Sequence, residues 1–208
     1  MHAVIILNAP LPHDRYLKPV VAQATKVICA DGGTNRALER GIEPDVIIGD
    51  LDSIASEWRQ KVAADRIVHK PSQYATDLEK ALQYAVDAGF ASATLLGVSG
   101  ERFDHQICNL TMMEKFCRCI DLDFIDDWGQ GRIIFDTFSF SGEIGQMVSL
   151  HAMRKAEGVL TDGLKYPLNH EDLEWAVRDG QSNQIVSNPV TISIAKGNVF
   201  MFVTHGTL

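Results

Sequence analysis

Short apolar runs and helix-patterned segments alternate from residue 3 to residue 125, and this alternation constrains the fold more than any other feature. Apolar runs at 3–7, 26–30, 45–48 and 93–97 read as buried strands, with a fifth, alternating in character, at 120–125. Helical patterns lie between them at 34–40, 53–64, 76–88 and 104–117, the last with Ile107, Leu110, Thr111 and Met112 as its expected buried stripe. Strand–helix alternation of this kind predicts a parallel sheet covered on both faces. Ligands of such sheets sit beyond the carboxyl ends of the strands.

The texture changes near Asp126-Asp127-Trp128-Gly129. Beyond it come short β-type runs at 132–140, 146–152, 159–160, 190–195 and 199–204, punctuated by glycines, with one short helix expected at 171–178. That is an antiparallel sandwich or barrel pattern. The expected fold is therefore an N-terminal parallel-sheet α/β domain, residues 1–127, followed by a C-terminal antiparallel β-sandwich, residues 128–208. A chain of 208 residues with 46% hydrophobic content is sufficient for one large core or two modest ones.

Charge narrows the partners. With 27 acidic and 19 basic residues the formal net charge is −8, which argues against bulk nucleic-acid binding. No apolar run approaches membrane-spanning length. The N-terminus reads as a first strand, not a leader. Four cysteines without a C-x-x-C pair fit a reduced, cytoplasmic protein.

Four segments carry chemistry. In Val46-Ile47-Ile48-Gly49-Asp50-Leu51-Asp52-Ser53 an apolar strand ends in two carboxylates one residue apart. On extended backbone both point to one side. Two convergent carboxylates suit a hard divalent cation such as Mg²⁺, bridging to a phosphate. Asp52 or Ser53 could instead cap the next helix, which would leave Asp50 without a role. Asp31-Gly32-Gly33-Thr34-Asn35-Arg36 is a strand-to-helix turn whose backbone N–H groups can approach an anion. It matches neither the P-loop nor the dinucleotide fingerprint, and an ordinary tight turn explains it as well. Thr76-Asp77-Leu78-Glu79 is a capping box; Asp77 suits the helix dipole and could also join the acidic cluster. In Gly97-Val98-Ser99-Gly100-Glu101-Arg102-Phe103-Asp104-His105, Arg102 could clamp phosphate oxygens, or pair with a surface acid while Asp104 caps the helix. All four map to one sheet edge. That convergence suggests nucleotide–Mg²⁺ chemistry, in which positioning and charge neutralisation dominate.

The order of these motifs resembles the thiamine pyrophosphokinases. The resemblance is carried by the segments above, including 44–54 and 76–82, by Arg102-Phe103-Asp104-His105 with Asn109-Leu110, by Gly163-Leu164-Lys165-Tyr166-Pro167-Leu168, and by Ser187-Asn188. It implies transfer of the diphosphate of ATP to the hydroxyl of thiamine, releasing AMP, in a homodimer with active sites at the subunit interface. It implies that Asp50, Asp52 and Asp77 bind Mg²⁺ and, with Arg102, carry catalysis. Asp31, Gly32, Gly33, Asn35, Arg102, Asp104 and His105 would line the nucleotide side. Gln73, Tyr166, Ser187 and Asn188 would surround thiamine, the β-domain residues coming from the partner. Two positions depart from the family pattern: Glu101 stands where a glycine is usual, and Tyr74 where an aspartate often follows Gln73. Tyr166 stands where some members carry Trp. The rival readings are diphosphotransfer to another alcohol, such as a pterin, and a non-catalytic nucleotide or thiamine diphosphate sensor.

Overall fold

The computed structural model describes residues 1–59 and 62–206. The chain divides into two compact units, Met1–Asp127 and Trp128–Leu208.

In the first unit the elements follow as β1 (His2–Ile6), α1 (Asp14–Gln23), β2 (Lys26–Ala30), α2 (Gly33–Glu39), β3 (Val46–Gly49), α3 (Ser56–Arg59), a 3₁₀ turn (Ala64–Arg66), β4 (Ile67–His69), α4 (Asp77–Asp87), β5 (Ser92–Leu96), α5 (Phe103–Phe116) and β6 (Asp121–Ile125). The strands pair in parallel in the order β6-β5-β1-β2-β3-β4. Successive residues of β1, β2 and β3 are buried with almost no break. A parallel sheet covered on both faces requires such runs, and this is why they read as continuous hydrophobic stretches. On one face Val4, Ile6, Val27, Cys29 and Ile47 pack with Leu17 of α1 and Ala37 of α2. Helix α4 packs on β2, β3 and β1 through its own buried stripe of Leu78, Ala81, Leu82 and Ala85. Strand order reverses at β1: β2, β3 and β4 extend to one side of it, β5 and β6 to the other. Ligands of such sheets bind outside the carboxyl ends of the strands, beside this reversal.

The second unit holds β7 (Gly129–Ile134), β8 (Phe138–Phe140), β9 (Met147–Ala152), β10 (Lys155–Asp162), β11 (Asn169–Glu174), β12 (Gly180–Gln184), β13 (Val190–Ser193) and β14 (Val199–Thr204). Its strands pair antiparallel in two sets, β12-β9-β14-β7 and β11-β10-β13-β8. Residues from both sets, among them Leu150, Val199, Val159 and Ile192, share one core, which makes this unit a sandwich.

Several expected elements differ. The run 132–140 is broken at 135–137, and its halves, β7 and β8, enter different sheets. The helix expected at 171–178 is strand β11 followed by a turn with Ala176 at φ +62°. Only Leu173 is buried there and Val177 is 75% exposed, so no helical apolar face exists to be covered. Helix α5 buries Met113 and Phe116, whereas Ile107 and Thr111 of the expected stripe are exposed. Of the helix expected at 53–64 only α3 forms, and residues 60–61 lie outside the described residues. Helix α1 and strand β4 have no counterpart in the sequence pattern; Pro19 sits inside α1, and only Leu17 of that helix is fully buried. No described helix is long and apolar enough to cross a membrane.

Candidate active site

A cleft of about 590 Å³ opens at the carboxyl ends of the parallel strands. Its walls come from Asn8 after β1, Asp31 and Gly32 after β2, Asp50 after β3, the N-terminal turn of α4, and the loop from Gly97 to Arg102 after β5.

Three carboxylates converge beside it, and two of them, Asp31 and Asp50, line it. Asp31, Asp50 and Asp52 each offer an oxygen within 4.8 Å of the others. The β2–β3 register sets up the meeting, because Ala30 pairs with Ile48 and the Asp31 N–H donates to Ile48 O at 2.8 Å. Gly49 lets Asp31 close in: a Cβ there would lie 2.7 Å from the Asp31 Cβ. Asp50 and Asp52 do not converge by strand alternation, as the sequence suggested. The strand ends at Gly49, and Leu51 turns the chain at φ +70°, a conformation costly for a branched side chain. The turn is stitched by the Asp52 N–H donating to Asp50 Oδ1 (3.3 Å) and the Ser53 N–H donating to Asp31 Oδ2 (3.3 Å).

Asp31 is only 2% exposed, and its Oδ1 is buried with no hydrogen-bond partner. Burial pushes its carboxyl above the usual range, and the charges of Asp77 and Asp50 push it further. Asp50 is held below the usual range, chiefly by Gln73 Nε2, which donates to its Oδ2 at 2.6 Å. A buried carboxylate with one unpartnered oxygen, close to two more carboxylates, is the donor set of a hard divalent cation.

Asp77 opens α4, where Thr76 Oγ1 accepts from the Glu79 N–H at 3.1 Å, half of the expected capping box. Its Oδ1 is 2.9 Å from the ammonium of Lys80, a buried lysine that sequence reasoning left without a role. The signal was its spacing, three residues after Asp77 on one helix face. Arg102 grips Asp104 through two hydrogen bonds, Nε–Oδ1 at 3.1 Å and Nη2–Oδ2 at 2.5 Å. Glu101 lines the cleft, and Arg36 Nη2 donates to it at 3.0 Å, which offsets the charge this residue adds. Gln73, Tyr74 and His105 also line the cleft.

Other expected site residues serve elsewhere. Asn35 braces the acid loop, donating to Ser53 O at 2.8 Å and accepting from the Ala55 N–H at 3.0 Å. Gly33 lies against strand β1, where a Cβ would run into Ile6 O. Tyr166, Ser187 and Asn188 belong to the sandwich unit. There two loops meet at Gly163, whose O accepts from the Ser187 N–H at 3.3 Å. Asn188 spends its amide on Gly142, and Tyr166 is 63% exposed.

A parallel α/β sheet with a strand-end cleft lined by Asp31, Asp50, Lys80 and Arg102 suits a kinase-type transferase. Two family models match the chain: "Thiamin pyrophosphokinase, catalytic domain" over residues 17–121, and "Thiamin pyrophosphokinase, vitamin B1 binding domain" over residues 138–199. The chain belongs to the thiamin pyrophosphokinase family. It is 30% identical to thiamine pyrophosphokinase of Bacillus subtilis over 84% of this chain and 85% of that one. It is 31% identical to thiamine pyrophosphokinase 1 of rice, over 55% of this chain and only 52% of the longer rice protein. The crystal structure of the Bacillus subtilis protein superposes with a TM-score of 0.88 at 25% identity, covering 98% of this chain and 99% of that one.

Proposed function

We propose that this chain transfers the diphosphate of ATP to the hydroxyl of thiamine, giving thiamine diphosphate and AMP. The observation that carries the reading is the carboxylate triad of Asp31, Asp50 and Asp52, two of which, Asp31 and Asp50, line an α/β strand-end cleft. Asp31, Asp50 and Asp52 would hold Mg²⁺, with Asp77 beside them. When bound, that ion supplies charge neutralisation for the nucleotide phosphates. The thiamine oxygen attacks the β-phosphorus, the bond from that phosphorus to the α-phosphate oxygen breaks, and AMP leaves with that oxygen. Arg102, released from Asp104, neutralises phosphate charge, and the glycine-bearing turn after β2 presents backbone N–H groups. Asp77 accepts a hydrogen bond from the thiamine hydroxyl, orients it in line and takes its proton as the new P–O bond forms. Gln73, already bonded to Asp50, links the thiamine side to the acids. Tyr166 offers an exposed ring to a cationic heterocycle.

We further propose a homodimer in which the sandwich unit of a second copy completes the thiamine side with Tyr166, Ser187 and Asn188. Exposed Tyr74, Phe103 and Ile107, at the cleft rim and on α5, support a surface that a partner covers. Four free cysteines support a reducing, cytoplasmic setting.

The direct test is purified protein with ATP, Mg²⁺ and thiamine. AMP and thiamine diphosphate are expected in equal amounts. Asp50→Asn is expected to lower turnover by about 10²-fold or more with little change in melting temperature. Release of ADP, or no thiamine-dependent AMP, refutes the reading.

A further inference from the structure

Lys80 is the buried charge that the reaction above leaves unused. Its side chain is 7% exposed and lines the cleft. A lysine is rarely buried without a compensating partner, because desolvating an ammonium is costly. Asp77 supplies one, at 2.9 Å. An ammonium has three donors, and among the described residues Asp77 is the one hydrogen-bond partner it has. Pairing with Asp77 alone does not account for the burial, since an exposed lysine at the same i, i+3 spacing would make that pair at less desolvation cost. Helix α4 instead lies on β2 and β3, the strands that lead into Asp31 and Asp50. That packing carries the ammonium into the field of the acids, and Lys80 helps to hold the Asp50 carboxyl below its usual range.

We propose that Lys80 is a further catalytic residue, whose ammonium is held in place by Asp77 and donates to oxygens of the diphosphate being transferred. The proposal rests on the diphosphotransfer reading. It has a consequence of definite sign. Without nucleotide, the ammonium opposes the divalent cation at the carboxylate triad. With the phosphate chain bound, it attracts the anion. Removing the charge therefore moves two affinities in opposite directions, whereas a lysine with a purely structural role would move both the same way or neither.

The experiment is calorimetry on folded protein with Mn²⁺ alone, and with inorganic pyrophosphate at saturating Mn²⁺. Lys80→Met is expected to tighten Mn²⁺ binding about threefold to tenfold and to weaken pyrophosphate binding about tenfold or more. Lys80→Arg, which keeps the charge, is expected to stay within about threefold of the unmodified protein in both. Lys80→Gln, which keeps a donor to Asp77, is read in the same way and decides the matter where the Met variant does not fold. Both affinities moving together, or neither moving, overturns the proposal. Neither titration needs thiamine or turnover. AMP formation by the unmodified protein with unchanged pyrophosphate affinity in the Met variant sinks the Lys80 role alone. Pyrophosphate binding that depends on Lys80, without AMP formation, sinks the diphosphotransfer reading alone.

Discussion

Asp31 is a costly group in the cleft. Its carboxyl is 2% exposed, one oxygen is unpartnered, and burial together with Asp77 and Asp50 raises its proton affinity. A folded-state pKa above the unfolded value means that the metal-free native protein binds more protons than the unfolded chain. Stability then falls as pH rises from the ordinary aspartate range through the raised value, and the penalty is fully present at neutral pH. Asp31→Asn is expected to raise the melting temperature of metal-free protein at pH 7, by about 1 kcal/mol or roughly 3 °C. The gain should vanish at acid pH, and Mn²⁺ binding should be lost. A lower metal-free melting temperature at pH 7 would count against a buried, destabilising charge. The gain and the loss belong to the same carboxylate: the buried group that costs stability in metal-free protein is one of the three placed to hold a cation.

At the scale of elements, the turn from Gly49 to Ser53 turns a strand end into a donor set. Gly49→Ala would push a methyl into Asp31, with the added Cβ 2.7 Å from the Asp31 Cβ. The expected result is a loss of Mn²⁺ affinity of about tenfold or more, with a smaller change in stability of about 1–3 kcal/mol, measured by calorimetry and denaturant melts. Much of this element level was legible in the chain. The five parallel strands β1, β2, β3, β5 and β6 read from apolar runs, and of the capping box read at Thr76 and Glu79 the Thr76 half forms. The helix expected at 171–178 misread because a strand with one buried residue, Leu173, has no periodicity to show. Its state is decided by pairing with β10. Asp31 was assigned to the nucleotide side because its nearness to Asp50 depends on the β2–β3 register, a contact between separate strands.

At the scale of the whole molecule, the proposed dimer makes a test that single-copy chemistry cannot pass. Asp50→Asn impairs the α/β part of a site and Tyr166→Ala the sandwich part. Co-expressed in equal amounts, the two variants would form mixed dimers with one intact site each. Activity should return to about a quarter of that of the unmodified protein, above the sum of the two variants alone. No recovery would mean that each chain builds its own complete site. What the amino-acid order determined by itself is what adjacent residues control: the α/β alternation, the change to β texture near residue 127, the paired acids after β3, the cap of α4 and the succession of motifs. What only the tertiary structure decided needed chain segments far apart to meet. Asp31 joined Asp50 and Asp52 through strand register, Glu101 found Arg36, and Lys80 was carried under the cleft by the packing of α4 on β2 and β3. Periodicity reports which face a side chain takes; it does not report which distant residue that face will meet.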